Sequence, residues 1–157
     1  MNSNSSLTPA SKPEKWSGDT RFTPLWPSDW LRVTTLWAGS DGVILRPDDD
    51  FSGFERLLER NPDCSFGAQV GTQLVGAVLA GFDGKRGYLY HMVVAQAWRR
   101  RGIGSGLAAR ACEALRRNGA GRIHILIEPE NSAGQGLWRR LGFQHRTDVQ
   151  LMTLTIG

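Results

Sequence analysis

The chain is poor in the features that commit a sequence to a membrane, a disulfide scaffold or a repeat array. Nowhere do its residues approach the ~20 consecutive apolar positions of a membrane-spanning helix, and no membrane partner is expected. Cysteine is scarce, with only Cys64 and Cys112. Two cysteines build neither a disulfide framework nor, alone, a zinc site, so each reads as a small buried hydrophobe and no metal is expected. No period of roughly 20–50 residues recurs, which excludes a solenoid. Residues 1–11 are polar and lack the apolar core of a signal peptide, so a cytoplasmic protein is expected.

What is present is ordinary globular material. Apolar residues make up 40 % and charged residues 22 % of the 157 positions, enough for one domain with one core. Residues 1–18 are rich in Ser, Asn, Thr, Pro and Lys and read as a flexible tail, with Trp16 its odd member. Residues 19–157 form the expected domain. Charge is unevenly spread: the chain carries a net of +4, but residues 1–84 hold a net of −4 and residues 85–157 a net of +8. The second half therefore presents a positive field suited to an anionic partner.

The pattern along the domain predicts alternating elements. Thr20, Phe22 and Pro24 suggest a short edge strand. Ser28 is placed to cap a helix whose apolar positions are Trp30, Val33, Thr34 and Trp37. Asp50 opens a second helix bearing Phe51, Phe54, Leu57 and Leu58, which Pro62 stops. Strands follow over 65–70, 73–82 and 88–94, joined by turns at Gly71-Thr72 and Asp83-Gly84 into an antiparallel meander. Strict alternation along the third of these puts Tyr88, Tyr90, Met92 and Val94 on one face and Leu89, His91 and Val93 on the other. A long helix from Gly102 carries Ile103, Leu107, Ala111 and Leu115 as an apolar stripe. Residues 122–127 read as a central strand. Ser132 with Gln135 forms a capping-box signature for a last helix. A final strand is expected over 150–156. The sum is a single-domain, mixed α/β fold with about four helices.

Chemistry concentrates in Arg99-Arg100-Arg101-Gly102-Ile103-Gly104-Ser105-Gly106, where a strand runs through a basic turn into a helix. The first amides of a helix lack intrahelical acceptors, and the helix dipole adds partial positive charge there. Glycines let an anion touch those amides, and the arginines add charge and donors. A mononucleotide P-loop is excluded, because no Lys follows Gly106. A dinucleotide fingerprint is also a poor fit, because the third glycine comes one residue early and a meander precedes the turn.

Arg99, Gly102 and Gly104 do fill the Arg/Gln-x-x-Gly-x-Gly/Ala pattern, and Asn131, Ala133, Leu137 and Leu141-Gly142-Phe143 fill a second segment downstream. The run resembles the Gcn5-related N-acetyltransferases, the GNAT superfamily, over residues 19–157. Within it, Arg60-Asn61-Pro62-Asp63, Gly81-Phe82-Asp83-Gly84, Arg86-Gly87-Tyr88 and Glu128-Pro129-Glu130-Asn131 are similar to the YpeA-like bacterial acetyltransferases. The resemblance implies a mostly antiparallel sheet whose fourth and fifth strands run parallel and splay apart around acetyl-CoA. It implies that backbone groups of Val93, Val94 and Ala95 pair with the pantetheine arm. Arg99, Arg100, Arg101, Gly102, Ile103, Gly104 and Ser105 would hold the pyrophosphate, Asn131 would approach the pantetheine, and Trp138 would lie near the thioester.

The implied reaction is direct attack of a primary amine, on a small molecule or peptide, upon the thioester carbonyl. The amide of Val94 is the candidate oxyanion donor. Many relatives have Tyr where Trp138 stands, and an indole N–H cannot act as a general acid. The base is open among His91, the tyrosines Tyr88 and Tyr90, and Glu128. His91 has a suitable intrinsic pKa near 6.5, Tyr88 and Tyr90 would need large shifts, and Glu128 is the nearest carboxylate; alternation would keep His91 and the tyrosines on opposite faces. Asp48-Asp49-Asp50 reads as a helix start, or as a draw for a cationic acceptor. Trp26, Trp30 and Trp37 are candidates for an acceptor cleft or a homodimer contact. Two other classes stay in view: a catalytically weak acetyl-CoA sensor, suggested by Trp138, and a nucleic-acid binder using the basic half. No aromatic-interleaved basic surface or recognition helix supports the last.

Overall fold

The computed structural model describes residues 19–156; the expected tail over 1–18, Trp16 included, lies outside them. The described elements are β1 (Thr20–Pro24), α1 (Trp30–Ala38), α2 (Phe51–Arg60), β2 (Phe66–Val70), β3 (Gln73–Phe82), β4 (Gly87–Val94), α3 (Ile103–Arg117), β5 (Ile123–Ile125) and α4 (Ser132–Arg140). The sheet runs in the order β1-β2-β3-β4-β5, antiparallel throughout except for the parallel β4–β5 pair.

Local chemistry explains the elements that sequence and structure share. The Asp50 carboxylate caps α2 by accepting the Gly53 N–H at 2.7 Å. Gly71 and Gly84 turn the two hairpins at φ of +58° and +92°. Asp83 anchors the second turn by accepting the N–H groups of Lys85 and Arg86 at 2.8 and 2.6 Å. Those donors hold its carboxyl below the usual carboxylate range. On α3 the predicted stripe of Ile103, Leu107, Ala111 and Leu115 is wholly buried. Each of its large side chains stabilises the fold by roughly 1.5–3 kcal/mol.

The sheet separates two apolar layers. On one face α3 and Trp138 cover Phe66, Ala68, Val75, Val78, Ala80 and Leu89. On the other, α1 and α2 cover Leu74, Ala77, Leu79 and Val93. Cys64 is buried in the first layer and Cys112 packs at its margin, as small hydrophobes do.

Five expectations need correction. A 3-10 turn over Pro27–Asp29 precedes α1, so Ser28 does not cap it; the Asp29 carboxylate instead accepts the Trp26 N–H at 3.0 Å. The cap of α4 is Asn131, whose side chain accepts the Gly134 N–H at 2.9 Å, and Ser132 is the first helical residue. β5 is three residues long and lies at the sheet edge, not its centre. Residues 150–156 form no strand: Leu151, Met152, Leu154 and Ile156 stand exposed, and no strand among the described residues pairs with them. Last, β4 does not alternate regularly, and that departure builds the site.

Candidate active site

β4 and β5 pair only at Gly87↔Ile123, Tyr88↔His124 and Leu89↔Ile125. Beyond Leu89 the ladder with β5 ends, and residues 90–94 of β4 run beside β3 on one side with no strand among the described residues paired on the other, which leaves that side open. Near the end of β4 the Ala95 N–H reaches back to the Val75 carbonyl on the β3 side at 2.8 Å. Backbone groups alternate along an extended strand, so those of Val94 turn toward the gap. There the Val94 carbonyl accepts Arg99 Nε at 2.9 Å, while its N–H remains directed at the opening.

An extra residue in β4 sits where the strands part. Leu79 pairs with Tyr90 and Ala77 with Val93, so two steps on β3 match three on β4. This is a β-bulge, and His91 takes it at a φ of +44°. The bulge moves the downstream side chains to the other face. Tyr90 and His91, expected on opposite faces, both line a cleft of about 280 Å³ between the sheet, α1, α2 and the loop joining those helices. Trp30, Trp37 and the run Asp48-Asp49-Asp50 line it too, whereas Trp26 stands 62 % exposed elsewhere.

His91 is held within this cleft. Its Nε2 lies 2.7 Å from Asp49 Oδ1, and the Trp37 ring stands edge-on to the imidazole at 5.1 Å. Asp49 is itself fixed by its loop: its other carboxylate oxygen accepts the Arg46 N–H at 2.7 Å, and its own N–H donates to the Arg46 carbonyl at 2.9 Å. Desolvation raises the Tyr90 hydroxyl above the ordinary phenol range, with Tyr88 and Asp83 adding to it. Burial thus holds the proton on Tyr90 more tightly than on a free phenol.

The β4–α3 turn has the form of an anion cradle. Arg100 and Gly102 both adopt positive φ, at +62° and +78°, and Gly102 is the N-cap of α3. No side chain caps the helix there, and its first bond runs from the Gly106 N–H to the Gly102 carbonyl. The amides of Ile103, Gly104 and Ser105 are consequently available to an anion. Among the described residues none of Arg99, Arg100 and Arg101 is ion-paired. Arg101 lies over the Trp98 ring at 4.7 Å. Gly104 has a packing reason as well: a Cβ there would meet Leu137 of α4 at 3.3 Å.

Other candidates fall elsewhere. Glu128 is exposed and does not line the cleft. Asn131 spends its carbonyl oxygen on the α4 cap, and its amide nitrogen lies 3.6 Å from where a Cβ on Gly42 would stand. Trp138 is 8 % exposed, packed edge-on to Phe143 in the main core. The side chains of Val93 and Ile103 are likewise core, leaving only their backbone to the site. Asp49 as the partner of His91 was not legible beforehand; its only signal was a third carboxylate beside a helix cap.

Comparison with known proteins agrees with this geometry. The model of the acetyltransferase (GNAT) family matches residues 23–143. An acetyltransferase of Pectobacterium atrosepticum is 35 % identical over 117 residues, covering 74 % of this chain and 82 % of that protein. The NatC complex bound to Gag peptide and CoA superposes with a TM-score of 0.72 at 22 % identity, over 83 % of this chain and 87 % of that one. AAC(6′)-Iy in complex with the bisubstrate analog CoA-S-monomethyl-acetylneamine gives 0.67 at 20 % identity, over 88 % and 100 %. Among the described residues no helix is long and apolar enough to cross a membrane. A sheet that opens after Leu89, a capless α3 behind a basic turn, and a family match across most of the domain lead to one assignment: the chain belongs to the GNAT family of N-acetyltransferases.

Proposed function

We propose that the enzyme transfers the acetyl group of acetyl-CoA to a primary amine of a small molecule or peptide by direct attack. The observation that carries this reading is a coincidence of position. Tyr90 and His91 are the first β4 residues past the last pair with β5, and the same two residues wall the acidic cleft. A thioester lodged in the gap and an amine lodged in the cleft would meet across that one stretch of backbone.

The residues present suit the co-substrate. The open length of β4 offers an extended pantetheine arm the backbone groups that alternation turns away from β3, those of Val94 first, while the Ala95 N–H is held by Val75 and Val93 pairs with Ala77, so the expected pairing through all three narrows to Val94. The amides of residues 103–105 with Arg100 and Arg101 offer donors and charge to a diphosphate. Arg99 braces the turn through the Val94 carbonyl. Asn131, spent on its cap, and Trp138, buried, are left to shape the wall rather than to exchange protons. Acetyl-CoA supplies an electrophilic acyl carbon with a thiolate leaving group. The Val94 N–H faces the side where negative charge develops on the carbonyl oxygen.

The cleft suits a cation. Three aspartates beside Trp30 and Trp37 favour an ammonium by charge and by cation–π attraction. His91 is the base this reading assigns, since burial makes Tyr90 hold its proton more tightly and Glu128 does not line the cleft. One fold neighbour carries an acetylneamine-based analog and another a peptide, so both acceptor classes stay within the proposal.

The test pairs calorimetry with acetyl-CoA and a thiol-release assay over an amine panel. Binding with turnover on at least one amine supports the reading. Binding with no turnover on any amine favours an acetyl-CoA sensor, and no binding overturns both.

A further inference from the structure

We propose that Asp49, on the loop between α1 and α2, is the positioning residue for His91: it holds Nε2–H and thereby leaves the Nδ1 lone pair to take the acceptor's proton. The inference rests on the reading of His91 as the base. It adds a residue outside both family motifs, and it decides which ring nitrogen works.

The argument begins with hydrogen-bond chemistry. A carboxylate can only accept, so the 2.7 Å contact from Asp49 Oδ1 requires the proton on His91 Nε2. Neutral imidazole has one N–H, so Nδ1 carries the lone pair, and it makes no hydrogen bond among the described residues. Both side chains are largely shielded, at 20 % exposure each, so solvent does not readily replace either partner. Asp49 cannot swing away cheaply, because Arg46 holds its second oxygen and its own N–H. His91 is equally constrained, by the bulge at its backbone and by the Trp37 ring. The charged and titratable groups that share the cleft with it are Asp48, Asp49 and Asp50 of the loop, Arg56 of α2 and Tyr90 of β4; α1 faces it with Trp37.

The proton balance is closed. An acceptor ammonium carries three protons, and the amide product keeps one. The first passes to His91 Nδ1, directly or through one water, which frees the nitrogen pair. That pair forms the C–N bond while the C–S bond breaks with its electrons on sulfur. The second proton leaves the nitrogen in this step and ends on the sulfur. The imidazolium then gives its proton to water, so each turnover releases amide, thiol and one proton.

Two variants separate this role from a structural tether. In Asp49→Asn the backbone N–H of Arg46, which can only donate, takes the one amide oxygen, so the amide NH2 faces Nε2 and favours the opposite tautomer, with the proton on Nδ1. Asp49→Ala removes the negative charge but leaves the tautomer unforced. Long-range proton–nitrogen NMR of the full chain should show neutral His91 as the Nε2–H form in the wild type and the Nδ1–H form in Asp49→Asn. Thiol release from acetyl-CoA, with spermidine, tyramine and alanylglycine as probes, should fall about 10²-fold or more in kcat for Asp49→Asn, as for His91→Gln. Asp49→Ala, which leaves the tautomer unforced, should keep more kcat than Asp49→Asn, with KM for acetyl-CoA unchanged. A wild-type His91 in the Nδ1–H form overturns the proposal even if none of the probes is acetylated. So does an Asp49→Asn enzyme with undiminished kcat. A tether alone would lower thermal stability in both variants while leaving their kcat values alike and the His91 tautomer unchanged in Asp49→Asn. If the wild type acetylates no probe but NMR finds the Nε2–H tautomer, the pairing stands and the assignment of the reaction fails.

Discussion

Leu89 and Val93 lie four residues apart on one strand, yet they pack on opposite faces of the sheet, Leu89 under α3 and Val93 under α1 and α2. In a regular strand they would share a face. The extra residue at His91 makes the difference, and it requires a positive φ from a side chain that is not glycine. A β-branched residue suits that backbone worst. His91→Val should therefore be less stable than His91→Gly by about 1 kcal/mol or more, although both lose the Asp49 contact. Urea denaturation of the pair checks this, and a more stable Val variant would mean the bulge had relaxed into regular strand.

Arg100 and Gly104 sit in the same turn but should fail differently. Arg100 is exposed and makes no ion pair among the described residues, so Arg100→Ala should weaken CoA binding about tenfold, the value of one charge-assisted hydrogen bond, with thermal stability unchanged. Gly104→Leu must displace Leu137, whose Cδ2 stands 3.3 Å from the new Cβ. It should lower stability by about 1–3 kcal/mol and abolish CoA binding together. Calorimetry and thermal melts on both variants test the distinction; a Gly104→Leu protein that melts like the wild type would contradict the close approach of α3 and α4.

Tyr90 should keep its proton across the neutral range, because its hydroxyl is raised above the ordinary value near 10. The sign for stability follows. A folded state that favours the neutral phenol gains a contribution that is complete below the unfolded pKa and is lost as pH rises through the higher folded value. A spectrophotometric phenolate titration should show late ionisation that vanishes in Tyr90→Phe. Turnover should survive that substitution, since another group takes the acceptor's proton. Phenolate assigned to Tyr90 at neutral pH would return it to the list of bases.

Neither thiol should react in the native protein. Cys64 is 1 % exposed, and burial pushes the Cys112 thiol up to about 11. A colorimetric thiol reagent at neutral pH should find no free thiol before unfolding and both afterwards. A fast native titre would show that the region around Cys112 opens readily.

Much of the fold was legible because local chemistry dictated it. Asp50 caps α2, Gly71 and Gly84 mark the hairpins, and the four-residue stripe of α3 finds the sheet. The phosphate turn was legible for the same reason, since glycines, arginines and a helix start are neighbours in sequence. What escaped was non-local. The bulge at His91 depends on how β4 registers against β3, and no glycine or proline marks it. Asn131 and Ser132 are both good caps, and sequence alone could not choose between adjacent residues. The shortness of β5 and the unpaired state of residues 150–156 depend on a sheet edge that apolar pattern does not describe. The Asp49–His91 contact joins residues 42 positions apart through that same bulge.

The most direct test of the account is amide hydrogen exchange of the full chain with and without acetyl-CoA. Slowed exchange confined to residues 90–95 and 103–105 is the predicted result, from an arm lying along the open length of β4 and a diphosphate on the first amides of α3. Exchange unchanged at both segments under saturating acetyl-CoA would contradict it.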